Sequence, residues 1–124
     1  MNDNAKTIDL IADYIAAWNE ADAARRLSLI ARTWAEDAGY IDPMMEGHGH
    51  AGIDAMIGAV QERFAGLKFR LTGTVDTHHD CVRFSWELAP EAGEAVAKGT
   101  DFAELAGDGR LRSVTGFLDF LAAQ

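Results

Sequence analysis

Tyr14, Asp42 and Asp101 are the residues of this sequence best placed to handle protons. Tyr14 lies beside Ile11 and Trp18 at helical spacing. A phenol there buries its ring and needs a partner for its hydroxyl. Asp42 follows Tyr40-Ile41 and precedes Pro43-Met44-Met45. Asp-Pro is an ordinary turn signal, so one reading is a turn aspartate at a strand exit. The other is a general base at a pocket mouth, with Ile41, Met44 and Met45 limiting its hydration. Asp101 sits in Thr100-Asp101-Phe102 and has two registers. In one it shares a small apolar face with Gly99, Ala103 and Leu105, where a carboxyl must meet a donor or keep its proton. In the other Phe102 points inward and Asp101 faces water.

Gly73, Gly99 and Gly116 each interrupt a strand-like pattern. Such glycines mark bends, bulges or the close approach of another group. The remaining candidates are weaker. His48 and His50 stand in a glycine-rich stretch, and His78-His79-Asp80 reads as a connection between strands; neither pair has metal-ligand spacing. Gly47-His48-Gly49-His50-Ala51-Gly52 lacks the lysine and hydroxyl of a phosphate loop. Cys81, the only cysteine, reads as a small apolar filler, and Ser28, Ser85 and Ser113 lack a nucleophile context.

The elements that must position these groups follow from periodicity. The chain has 124 residues, the size of one domain, so 1–124 is read as a single unit. Its net charge of -9 repels a phosphate backbone, which argues against nucleic-acid partners. The polar start Met1-Asn2-Asp3-Asn4 and the lack of a long apolar run predict no export signal, no membrane partner and a cytoplasmic setting. Ile8, Ile11, Ile15 and Trp18 predict a helix over 8–19, with Thr7 as its cap. Asp22 caps a second helix over about 23–36, whose stripe includes Leu27, Ile30 and Trp34. Residues 39–42 read as a short extended segment and 47–50 as a loop. A third helix runs near 52–64 and stops at Gly66. The period then changes to two, predicting strands through 67–76 and 82–88, near 94–105, and near 110–120 after a turn at Gly107-Asp108-Gly109. Helices followed by a strand meander form an α+β pattern, with the helices on one face of an antiparallel sheet.

This order, with the segments Tyr14-Ile15-Ala16-Ala17-Trp18-Asn19, Trp34-Ala35-Glu36-Asp37-Ala38-Gly39-Tyr40-Ile41-Asp42-Pro43, Gly49-His50-Ala51-Gly52-Ile53 and Val114-Thr115-Gly116-Phe117-Leu118, resembles the NTF2-like, or SnoaL-like, superfamily. The resemblance implies a cone-shaped barrel: N-terminal helices packed on a strongly curved mixed, mainly antiparallel sheet. Within the superfamily the chemical parallel is ketosteroid isomerase. It implies that Asp42 moves a proton while Tyr14 and a neutral Asp101 donate to the developing oxyanion. It also favours the inward register for Asp101. Trp18, Tyr40, Met45 and Trp86 would support this pocket, together with His50, His79 and Phe117. Only two tyrosines are present, so no supporting tyrosine network is expected.

The function so implied is cofactor-free acid–base chemistry, of isomerase or cyclase type, on a hydrophobic carbonyl compound, with no metal. Two alternatives share the fold. One is a ligand-binding or protein-interaction domain without catalysis. The other is an epoxide hydrolase or dehydratase, whose Asp-Arg-Asp set has no obvious arginine here. A cyclase could take help from His50 or His79. Phe102, Phe117, Leu118 and Phe120 offer an apolar surface on which a homodimer is expected.

Overall fold

The apolar stripes of the first sixty residues form helices, as their spacing dictates. The computed structural model describes residues 3–122, so Met1 and Asn2 of the polar start lie outside it. Helix α1 spans Asp3–Asn19 and buries Ile11, Tyr14, Ala17 and Trp18. It starts earlier than the stripe suggests because Ala5 and Lys6 are good helix formers. Thr7 is therefore an internal residue of the helix rather than its cap, and Ile8 is exposed. Helix α2 spans Ala23–Thr33, and the Asp22 carboxylate accepts from the Arg25 backbone N–H at 2.9 Å, capping it.

Helix α2 stops short of residue 36 because Trp34 turns extended and opens strand β1, Trp34–Ile41. Trp34, read as part of a helical stripe, is instead fully buried at the strand's start. Pairing of β1 with the last strand outweighs local helix propensity here. The glycine-histidine stretch is not a loop. It forms strand β2, Glu46–His48, and then opens helix α3, Gly49–Arg63.

Four long strands follow: β3 Leu67–His78, β4 Cys81–Pro90, β5 Ala97–Leu105 and β6 Leu111–Leu121. They form the expected antiparallel meander. β6 then pairs in parallel with β1, and β1 pairs antiparallel with β2, giving a mixed sheet in the order β2-β1-β6-β5-β4-β3. Gly73 takes a left-handed conformation (φ 72°) where β3 slips register against β4.

The cone-shaped barrel is not formed. The sheet is a single open one of six strands, neither closed nor strongly curved, with β2 and β3 at opposite edges. Closure needs the edge strands to hydrogen-bond to each other, and these two do not. The core is sealed by helices instead. Ile11, Ile30, Ile53 and Ile57 pack with Trp34, Val82, Phe84 and Val114 in one cluster. Arg26 is buried between the helices. Its guanidinium bonds Asp54 at 2.7 Å and reaches the Glu20 carbonyl and Gln61, tying the α1–α2 turn to α3. Among the described residues, no helix is long and apolar enough to cross a membrane.

Candidate active site

The register of β5 decides what the helices cover. Asp101 pairs with Phe84 on β4 and Gly116 on β6, and it is 2% exposed, whereas Phe102 is 41% exposed. The inward register holds because the helix-facing side of β5 is otherwise Gly99 and Ala103, small enough for α1 and its aromatic rings to lie close. Tyr14 descends from α1, and its Oη donates to Asp101 Oδ2 at 2.6 Å. Trp86, on β4, donates its Nε1–H to Asp101 Oδ1 at 3.0 Å. That indole crosses directly over Gly99. A Cβ at Gly99 would fall 2.2 Å from Trp86 Cζ2 and 2.7 Å from the Phe117 carbonyl oxygen.

A second acid–phenol pair stands beside the first. Tyr40 Oη donates to Asp42 Oδ2 at 2.6 Å. The backbone N–H groups of Met44 and Met45 donate to Asp42 Oδ1 at 2.8 and 3.0 Å, so the Asp-Pro turn fixes this carboxylate. Gly116 sets the spacing of the two pairs. A Cβ there would lie 2.9 Å from Asp101 Oδ1, 3.1 Å from Tyr40 Oη and 3.2 Å from Asp42 Cβ. Tyr14 therefore contacts one acid, not two, and Asp42 belongs to Tyr40.

Burial governs the proton affinities. It pushes the Asp101 carboxyl up to about 6; donation from Tyr14 and Trp86 pulls the other way, and the Asp42 charge adds to the rise. Burial also raises both phenols, with the Asp101 charge the next cause in each case. Both tyrosines thus remain O–H donors throughout the ordinary pH range.

A raised carboxyl pKa means that the folded protein holds this proton more tightly than the unfolded chain. The contribution to stability is fully present below pH 4, falls as pH rises to about 6, and is level above. The fall amounts to about 3 kcal/mol at roughly 1.4 kcal/mol per pKa unit. Urea unfolding from pH 4 to 8 should show this slope in the wild type and not in Asp101→Asn. Parallel curves would contradict the raised affinity.

These polar groups floor an otherwise apolar cavity of about 60 Å³. Its walls include Ile15, Trp18, Val60, Phe64, Phe69, Leu88 and Leu118, with Met44, Met45 and Leu121 also lining it. Of the residues picked from the sequence, Tyr14, Asp42, Asp101, Trp18, Tyr40, Met45 and Trp86 line this cavity. His50, His79 and Phe117 do not. His50 Nε2 bonds the Trp34 carbonyl at 2.8 Å. His79 occupies the β3–β4 turn with φ 52°, against His78. Phe117 pairs with Thr100 on the face away from the helices and is 58% exposed. Among the described residues, no histidine, lysine or arginine lines the cavity, so neither the histidine-assisted nor the Asp-Arg-Asp arrangement is assembled there. Nor does any described group of three His, Cys, Asp or Glu side chains converge as metal ligands.

Tyr40 carries a part that its sequence position did not reveal. The two tyrosines form parallel donor–acid pairs, a limited version of the network not expected from so few phenols. Phe64, Phe69 and Val60 were also missed as pocket walls. Phe69 was accessible through the period of its strand, since it shares a face with Leu67 and Leu71.

Comparison with known proteins places the chain in a family. A profile of the SnoaL-like domain matches residues 11–114. Among curated proteins none matches. A solved protein from Agrobacterium tumefaciens str. C58, provisionally assigned as an isomerase of the SnoaL-like family, is 45% identical. It aligns over 93% of this chain and 98% of its own, with a TM-score of 0.88. A provisionally assigned SnoaL-like polyketide cyclase from Jannaschia sp. CCS1 shares 16% identity over 94% of this chain and 85% of its own, with a TM-score of 0.70. An NTF2-like protein of unknown function from Cytophaga hutchinsonii shares 16% over 91% and 89%, with a TM-score of 0.65. At that identity the last two show the fold alone. The extent of the profile match and the 45% identical relative establish that the chain belongs to the SnoaL-like family.

Proposed function

We propose that this protein is a cofactor-free acid–base enzyme, of isomerase or cyclase type, acting on a hydrophobic carbonyl compound. The observation that carries the reading is the pair of carboxyls, each bonded to a phenol, at the floor of an apolar cavity. The provisional isomerase assignment of the 45% identical relative points the same way. Burial raises the proton affinity of Asp101, while three donors hold Asp42 as an acceptor, so the two acids take different roles. Asp101, whose proton affinity burial raises, stands with Tyr14 on the side of the carbonyl oxygen and donates to it in its protonated form. Asp42, arranged by three donors as an acceptor, takes the proton from the carbon next to the carbonyl and returns it.

The test is solvent deuterium exchange at the α-carbon of a series of hydrophobic ketones, followed by proton NMR. Protein-dependent exchange is the expected result. Binding without exchange across the series would favour a ligand-binding domain and overturn the enzymatic reading.

We also propose a homodimer. Phe102, Phe117 and Phe120 are exposed on the sheet face that the helices leave uncovered. Two of the flanking arginines are already paired, Arg83 with Asp76 and Arg70 with Glu87, and Lys98 lies over the Phe120 ring, which lowers the cost of covering the face. Sedimentation equilibrium at micromolar concentration should give twice the chain mass, and Phe117→Glu should shift it toward the monomer. A wild-type monomer would contradict this.

A further inference from the structure

The cavity of about 60 Å³ is less than half the size of an apolar void of about 150 Å³ that takes up benzene. Aromatic side chains occupy much of the remaining space. Tyr40, Trp18, Phe69 and Trp86 form a row, with successive ring centroids 5.4, 5.4 and 5.3 Å apart and every step at a steep angle. Two members of the row are tied to the acids: Tyr40 bonds Asp42, and Trp86 bonds Asp101. Phe69 has no polar group. What its ring supplies is volume, and it supplies it at the cavity wall.

The backbone beneath this ring is held from two sides. Phe69 lies on β3, an edge strand, and pairs on its inner side with the buried Leu88 of β4. On its open side the Asn19 side chain stands where a further strand would. Asn19 Nδ2–H donates to the Phe69 carbonyl at 2.9 Å, and Asn19 Oδ1 accepts from the Phe69 N–H at 2.8 Å. Asn19 directly follows Trp18 at the end of α1. Consecutive residues of one helix therefore fix Phe69 by its ring and by its backbone. The rim of the cavity is built differently. Met44 and Leu121 line it and are exposed, and neither carries such a clamp.

Building on the acid–base reading above, we infer that Phe69 sets the size limit of the site, and that the substrate is a small carbonyl compound, of one ring or a short chain, rather than a fused polycyclic one. Its reacting end enters the cavity, and its remainder lies between the side chains of the rim. A second fused ring must displace Phe69 or stay outside. Asn19 is a positioning residue that acts through the Phe69 backbone.

The probes are acetophenone and 2-acetonaphthone, which differ by one fused ring. Burying that ring would tighten binding by about tenfold or more, from apolar area alone. Titration of each probe, followed at the ¹⁵N-labelled Trp86 indole in the cavity wall, gives the two dissociation constants. In the wild type 2-acetonaphthone should bind no more tightly than acetophenone. In Phe69→Ala it should gain about tenfold relative to acetophenone, with a smaller gain in Phe69→Leu. Asn19→Ala keeps the ring but frees its backbone, and should recover part of the same gain. A wild type that binds the larger ketone tenfold more tightly would overturn the inference, and that comparison needs no variant to fold. Unchanged selectivity in both Phe69 variants would also overturn it. Unchanged selectivity in Asn19→Ala alone would remove the positioning role of Asn19.

Deuterium exchange separates this inference from the acid–base reading. Exchange of the larger ketone as fast as the smaller in the wild type removes the size limit alone. Size-selective binding without exchange of either ketone supports the limit and removes only the acid–base reading. A wild type that binds neither probe overturns both.

Discussion

Asp42→Asn is expected to reduce α-proton exchange by about a hundred- to ten-thousand-fold, the range of a lost general base. Ligand affinity should change only a few-fold. The asymmetry follows from the geometry. Asparagine keeps an oxygen for the Met44 and Met45 N–H groups, so the Asp-Pro turn survives. It loses the basic oxygen that faces the Tyr40 hydroxyl. The check is a pair of measurements on one preparation: exchange rate by NMR and dissociation constant by titration. Equal losses in both would assign Asp42 to binding and would contradict its role as the base.

The second large effect concerns a residue with no functional group. Gly99→Ala should destabilise the fold by about 2–3 kcal/mol, the cost of overpacking a filled site. The added methyl would overlap the Trp86 ring and crowd the Phe117 carbonyl. If Trp86 yields, its Nε1–H leaves Asp101. Because that hydrogen bond lowers the proton affinity of Asp101, its loss should carry the carboxyl above about 6. Urea unfolding gives the first quantity and carboxyl carbon NMR titration the second. Repeating Gly99→Ala in a Trp86→Leu background isolates the ring contact. A cost that shrinks there confirms the clash with the indole. An unchanged cost would place the strain in the backbone at Phe117 and sever Gly99 from the site.

Gly99 and Gly116 were conspicuous in the sequence for the reason the structure gives. At both positions another group occupies the volume that a side chain would take. The long strands were likewise legible, since each alternates with period two. The failures have equally local causes. Trp34 fits a helical stripe as well as a strand start, and only its pairing with Leu111 on β6 selects between them. That contact spans most of the chain, so no local window contains it. The open sheet was missed because closure depends on two edge strands meeting, which no strand's own pattern records. His50 and His79 were grouped with the site by residue type. A backbone carbonyl and a turn claim them instead. Tyr40 was visible as a flanking residue, but its bond to Asp42 depends on how the Asp-Pro turn folds the carboxylate back on its own strand.

The placement of β6 has a consequence for biosynthesis. This strand lies between β1 and β5, and it alone joins the early half of the polypeptide to the late half within the sheet. A nascent polypeptide halted before Leu111 would already possess both acids and both phenols. It would lack the Gly116 backbone that fixes their separation, and it would leave the flanks of β1 and β5 bare. Bare strand flanks recruit other polypeptides. Interrupted translation of this protein would therefore yield an aggregation-prone fragment in which the two acid–phenol pairs lack their fixed spacing.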